Sequence, residues 1–221
     1  MISTFQAEID KLKMDTLAMM GLAKGAVRSS LRAIRERSRE LALEVMEGDE
    51  TIDGLECSLD VEVLRLLALQ QPVARDLRFI VGCLRISTNL ERIGDEAVNM
   101  ADRCLILLER PLWDLPESFE TLADISLKLL DDAEAAFAQG DTGLARTVLD
   151  AISEVTAMHF RLSRDLTKAM VDQSRTIERG LHAAFIAHSL HRVCDRAANI
   201  SEAVVFIADG VDMKHHCEIR R

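Results

Sequence analysis

Tyrosine is absent from this sequence, tryptophan occurs once and proline three times among 221 residues. A chain so poor in aromatic and turn-forming residues lacks the usual material of strands and tight loops. Long apolar runs are missing too: no window reaches the roughly 20 apolar residues that a membrane-spanning helix needs. The opening stretch "MISTFQAEIDKLK" has no apolar core of signal-peptide type, so a cytosolic protein is expected. There is no excess of base: 27 Lys and Arg stand against 37 Asp and Glu, a net charge of −10. An acidic chain without a basic block is a poor nucleic-acid binder. The five cysteines, Cys57, Cys83, Cys104, Cys194 and Cys217, are odd in number and never spaced C-x-x-C. They read as small buried residues in a reducing compartment, not as disulfides or a thiolate zinc site. Neither a G-x-x-x-x-G-K phosphate loop nor a G-x-S-x-G nucleophile motif occurs.

What is present is apolar residue in plenty, 48% of the chain, recurring at threes and fours almost end to end. Phe5, Ile9, Leu12, Thr16, Met20, Ala23, Val27, Leu31 and Ile34 mark a first helix, with Ser3 or Thr4 to cap it. Ser38 is placed to cap a second helix reaching about Gln70. Pro72 suits the first turn of a third, which runs through Glu109. "ERPLWDLPES", residues 109–118, holds two of the prolines and forms the natural boundary. The pattern then restarts. A fourth helix runs from about Glu117 to Gly140. A fifth is capped by Asp141 and ends near Gln173, and a sixth runs from about Arg175 to Asp209 with Gly210 to close it. The expected architecture is all-α: a three-helix bundle over 1–110, a linker at 111–116, a second three-helix bundle over 117–210 and a frayed tail from 211. Met14, Met19, Met20, Met158 and Met170 are read as core filler.

The halves repeat. Shifted by 100, residues 86–102 fall on 186–202. Ile86, Leu90, Arg92, Asp95, Ala97 and Asn99 meet Ile186, Leu190, Arg192, Asp195, Ala197 and Asn199. Glu91 becomes His191 and Asp102 becomes Glu202. For the middle helices a shift of 103 aligns the caps Ser38 and Asp141, and sets Asp53 against Thr156 and Glu56 against His159. The self-similarity indicates an internal duplication.

Within "NLERIGDEAVNMAD", residues 89–102, the side chains of Glu91, Asp95, Asn99 and Asp102 stack at helical spacing. They lie opposite an apolar stripe of Ile86, Leu90, Ile93, Ala97, Ala101 and Cys104. A solvated surface face explains such a column in one repeat. Yet Asp and Asn, poor helix formers, return at the same spacing in the second repeat, and the replacements of Glu91 and Glu56 are histidines, which lose charge but keep ligand capacity. Like charges at four-residue spacing repel, and a cation would reverse that. The functional reading is one metal site per repeat. Asp53, Glu56, Glu91, Asp95, Asn99 and Asp102 surround the first; His159, His191, Asp195, Asn199 and Glu202 surround the second. Oxygen and imidazole donors suit iron, manganese or zinc, with magnesium or calcium also open to the all-oxygen site.

"LLALQQPVARDLR" at 66–78 followed by "NLERIGDEAVNMAD" resembles the PhoU family of bacterial phosphate-transport regulators, and the resemblance covers nearly the whole chain. It implies two three-helix bundles related by pseudo-twofold symmetry. It also implies iron or zinc bound on the bundle surface by an E(D)xxxD signature in each repeat. Glu91 and Asp95 match that signature; in the second repeat Asp195 matches, but His191 stands where an acid is usual, which favours zinc or a single metal there. The implied role is regulatory and not enzymatic: damping phosphate uptake and starvation signalling through the transporter's ATPase subunit and a sensor histidine kinase. A homodimer formed through an exposed helix face is a further expectation. Two other classes stay open. One is a metal-free helical adaptor. The other is a ferritin-like di-metal oxidase, although the Glu-x-x-His pairs of that class do not occur. Arg28, Arg32 and Arg35 read as a solvated face or a docking strip, Asp76 and Arg78 as an ion pair or bundle contact, His188 as a lesser ligand candidate, and "KHHC" at 214–217 as incidental.

Overall fold

The computed structural model describes residues 4–212 and 217–218. Six long helices carry the chain: α1 (Thr4–Glu36), α2 (Arg39–Gln70), α3 (Ala74–Leu108), α4 (Glu117–Gln139), α5 (Thr142–Asp172) and α6 (Ile177–Asp209). Their ends follow local chemistry. Ser38 is extended at the start of α2 and its hydroxyl accepts from the Leu41 N–H at 3.2 Å, while the Asp141 carboxylate accepts from the Leu144 N–H at 3.0 Å. Gly140 and Gly210 close α4 and α6 at φ of 67° and 74°, a region that costs glycine least.

Two boundaries differ from the sequence reading. Pro72 lies ahead of α3 and not in its first turn: Gln71 turns left-handed at φ 46° to end α2, and extended Val73 caps α3. The sixth helix opens with a 3-10 turn, Ser174–Thr176, before its α-helical run. The tail expected to fray begins with a two-residue antiparallel ladder, β1 (Val211–Asp212) against β2 (Cys217–Glu218). His215 and His216 of the "KHHC" stretch lie outside the described residues.

Helices α1–α3 form one bundle and α4–α6 the other, with α3 and α6 as the central pair. α3 packs on α1, α2 and α6; α6 packs on α3, α4 and α5. Leu12, Met19, Val27 and Leu31 of α1, Leu66 of α2, and Ile80, Ile86, Ile93 and Met100 of α3 are fully enclosed in the first core. Phe119, Leu122, Leu162, Ile186 and Leu190 are their counterparts in the second. Burial of that apolar surface is the main stabilising term. Met19 and Met20 fill core space as expected, whereas Met14 is 64% exposed, and Cys57 is exposed where Cys83, Cys104 and Cys194 are buried.

The two central helices run antiparallel, and three contacts fix their register. The Asn199 amide donates to Asn89 Oδ1 at 3.1 Å. Seven residues on along α3 and seven back along α6, Glu96 meets the Arg192 guanidinium at 2.7 Å. Seven further each way, the Arg103 guanidinium lies 4.9 Å over the Phe185 ring. Close approach at one end of this seam depends on Gly82, where a Cβ would fall 2.3 Å from Ile207 Cγ1. Nearby the Arg78 Nε–H donates to the Ile207 carbonyl at 3.3 Å, which makes the "DLR" arginine a contact between bundles. Arg28, Arg32 and Arg35 are balanced by acids: Arg28 and Arg35 reach Asp131, Glu120 and Asp124 of α4, and Arg32 pairs with Glu36.

Candidate metal centre

The first candidate centre lies along the groove between α2 and α3. On α2, Asp49, Asp53, Glu56 and Asp60 follow one another by four, three and four residues, which places them in one stripe. The stripe borders the buried row Val45, Ile52, Leu59 and Val63 that holds α2 against its neighbours. From α3, Glu91 and Asp95 face the same groove. Burial first, and then the charges of Asp95 and Glu56, hold the Glu91 carboxyl above its ordinary range. Burial, then Asp60 and Asp53, do the same to Glu56, opposed by a hydrogen bond from Thr88 and by Arg92. Asp49 is raised by burial and then by Asp53 and Asp95. Six carboxylates thus share a site, and Arg92 is the cation that bears on Glu56 and Glu91.

Gly94 makes room for this cluster. A Cβ there would lie 2.8 Å from Asp49 Oδ1, an oxygen that is shut away from solvent and accepts no hydrogen bond. A buried oxygen without a partner is costly, and Asp60 Oδ1 is in the same position. Both lie in the stripe where a hard cation would be held by oxygen donors.

The second centre occupies the corresponding groove between α5 and α6, with different donors. The His159 ring of α5 stands 4.9 Å from His191 and 6.0 Å from His188, centroid to centroid. His191 Nδ1 is 3.4 Å from Asp195 Oδ2, and the Thr156 hydroxyl is 3.1 Å from His191 Nε2. Burial, and then His191 and His188, push His159 below the usual imidazole range, with Asp195 opposing. That shift favours the neutral ring, the form in which imidazole binds metal. The two repeat shifts, 103 for α2 on α5 and 100 for α3 on α6, explain the contrast between the sites. Asp49, Asp53, Glu56 and Asp60 fall on Ile152, Thr156, His159 and Ser163, and Glu91 falls on His191. Asp195 alone survives of the six acids.

The structure therefore gathers Asp53, Glu56, Glu91 and Asp95 in one groove and His159, His191 and Asp195 in the other. It adds Asp49 and Asp60 to the first, and brings His188 beside His159. It sets the other candidates apart. Asn99 turns toward α6 and lines a cavity of about 190 Å³ with Glu96, Arg103, His188 and Arg192. The Asn199 amide binds Asn89 across the seam. Asp102 lies 3.8 Å from the Arg103 guanidinium, about two turns beyond Asp95. Glu202 holds the matching place near the end of α6, half-buried. Among the described residues, no three His, Cys, Asp or Glu side chains already stand in a geometry that holds one ion. The fit is one of donor chemistry: mutually repelling acids and orphaned oxygens in the first groove, imidazole and one carboxylate in the second.

Comparison with known proteins decides the family. The model of the PhoU domain matches residues 16–104 and again 119–204, one copy per bundle. The chain belongs to the PhoU family. Among curated relatives of this PhoU-family chain, the "phosphate-specific transport system accessory protein PhoU homolog" of Aquifex aeolicus is 34% identical over 208 residues, 94% of each chain. The protein of the same name from Pseudomonas putida is 35% identical over 214 residues, 96% of this chain and 83% of its own length. The crystal structure of PhoU from Pseudomonas aeruginosa superposes with a TM-score of 0.89 at 33% identity, covering 94% of this chain and all of its own. No helix among the described residues of this PhoU-family chain is long and apolar enough to cross a membrane.

Proposed function

We propose that this PhoU-family chain is a cytoplasmic, non-enzymatic regulator of phosphate transport and of phosphate-starvation signalling. It restrains both when phosphate is plentiful, by binding the transporter's ATPase subunit and a sensor histidine kinase. The observation that carries the reading is the match, over 94–96% of this chain, to proteins named as accessories of the phosphate-specific transport system. The two grooves supply the regulatory chemistry. Asp49, Asp53, Glu56, Glu91 and Asp95 would hold iron, manganese or magnesium, hard cations suited to carboxylate. His159, His191 and Asp195 would hold zinc, which accepts imidazole and carboxylate together. A bound cation offsets the repulsion among the carboxylates of the first groove and ties together the α5 and α6 donors of the second, which stiffens each helix pair and changes the charge it presents to a partner. Self-association through an exposed helix face belongs to the same proposal.

The test is complementation in a bacterium lacking its own PhoU-family protein. The expected result is that the wild-type chain lowers phosphate uptake and silences a starvation reporter, while Asp95→Ala and Asp195→Ala accumulate as folded protein but restore little of either. A wild-type chain that is expressed and folded yet changes neither reading overturns the proposal.

A further inference from the structure

The seam between the two grooves breaks the symmetry of the duplication. Asn89 opposite Asn199 and Glu96 opposite Arg192 define the antiparallel register. Three residues on from Asn89 stands Arg92; three back from Asn199 stands Arg196. These two are therefore opposed across the seam as Glu96 and Arg192 are. A perfectly repeated chain would carry the same pair on both sides of the axis. Here the duplicate of Arg192 is Arg92, but the duplicate of Glu96 is Arg196. One side of the axis has an ion pair, and the other has two guanidinium groups facing each other.

Glu56 and Glu91 of the first groove offset part of the charge of Arg92, and Glu96 and Asp195 part of that of Arg196. Arg192 is one turn from Arg196, adding a third cation, and is already joined to Glu96. Arg92 and Arg192 both bear on Arg196 as like charges. The Arg196 Nε–H is sealed from solvent and finds no acceptor. Two like charges brought together beside an unsatisfied donor cost stability. An oxoanion removes both costs, because the guanidinium edge presents parallel N–H donors matched to the oxygens of phosphate or sulfate.

We propose that Arg92 and Arg196, opposed across the α3–α6 seam with Arg192 alongside, form a binding site for one tetrahedral oxoanion of the phosphate class. The site touches both bundles at once, since one arginine comes from each repeat. Its occupant cross-links the central helices beside their axis, between the two candidate metal grooves.

The test is calorimetric titration of the intact chain, stripped of metal by a chelator so that no cation contributes to anion binding. Inorganic phosphate and sulfate are titrated separately at constant ionic strength set with chloride. Arg196→Glu is the informative variant, because it restores the ion pair that the duplication predicts and so retains the fold; its melting temperature in chloride buffer should equal or exceed that of wild type. Arg92→Gln is the second variant. The expected result is saturable binding of about one oxoanion per chain, weakened at least roughly tenfold in Arg196→Glu and in Arg92→Gln through loss of charge-assisted hydrogen bonds. Absence of saturable binding to wild type, or folded variants that bind as wild type does, would overturn the proposal.

Discussion

Replacing Arg192 with leucine should lower the unfolding free energy by about 3 kcal/mol, the low end of what breaking a buried ion pair costs. Its partner Glu96 is the reason. The Glu96 side chain is only 6% exposed, within the seam between the bundles, and Arg192 Nε lies 2.7 Å from its Oε1. Without the guanidinium, a carboxylate is left in a place that water reaches poorly. The cost stays at the low end because Arg192 is itself 43% exposed and because the charge of Arg196 still bears on Glu96. For a chain of this length about 3 kcal/mol corresponds to a fall in melting temperature of roughly 6–12 °C. The double variant Glu96→Gln with Arg192→Leu removes the stranded charge and should recover most of that fall. Thermal denaturation of the three proteins decides the matter: a loss below roughly 1 kcal/mol in the single variant, as for a surface pair, would mean that Glu96 is effectively solvated.

A change of similar size in the opposite direction is expected when metal is returned to chelator-treated protein. A cation at a hundred times its dissociation constant stabilises the folded state by about 2.7 kcal/mol, which raises the melting temperature by roughly 5–10 °C. Zinc should lose this effect in His159→Asn and His191→Asn, manganese in Asp95→Asn. The metal-free variants supply a control of opposite sign. Asp95→Asn removes a repelling charge from the carboxylate groove, so without metal it should melt at or slightly above the wild-type temperature, by a few tenths of a kcal/mol. The acid dependence follows from the same groups. Asp49, Glu56 and Glu91 are held above their ordinary values, so the folded chain takes up their protons more readily than the unfolded chain. In the metal-free protein their contribution is fully present below the ordinary carboxylate values of about 4 and is lost as pH rises through their raised folded-state values. His159 behaves in the reverse sense: held low by burial and by its neighbouring histidines, it stabilises the fold above about pH 6.5 and loses that contribution as pH falls. Zinc stabilisation should therefore fade on acidification through the imidazole range, as protons compete for the ligands. A zinc effect unchanged in His159→Asn and His191→Asn would place the ion elsewhere.

The helices were legible because their apolar periodicity and their caps act locally. Ser38, Asp141, Gly140 and Gly210 do in the structure what their side chains or φ angles allow anywhere. Pro72 was misplaced because Gln71 ends α2 with a left-handed turn that no residue type announces. The grooves were half legible. Asp53 and Glu56 emerged from alignment of the repeats, but Asp49 and Asp60 belong to the same stripe by the same helical arithmetic, and Ile152 and Ser163 opposite them concealed their role. Asn99 and Asn199 show the limit of a helical wheel. It places them beside Glu91 and Asp195, yet a central helix has a different neighbour on each side. Glu91 and Asp95 border α2, while Asn99 borders α6. Glu96 gave no signal, because its burial depends on a helix about a hundred residues away.

The most direct test of the central claim, one hard-cation groove and one imidazole groove in the same chain, is metal analysis by mass spectrometry. The protein would be purified without chelator or histidine tag, as wild type, Asp95→Ala and Asp195→Ala. The account predicts stoichiometric metal in wild type, with iron or manganese lost from Asp95→Ala and zinc lost from Asp195→Ala. Wild-type protein that holds no metal, even after reconstitution with iron, manganese and zinc, would contradict it and leave both grooves as surfaces for protein docking.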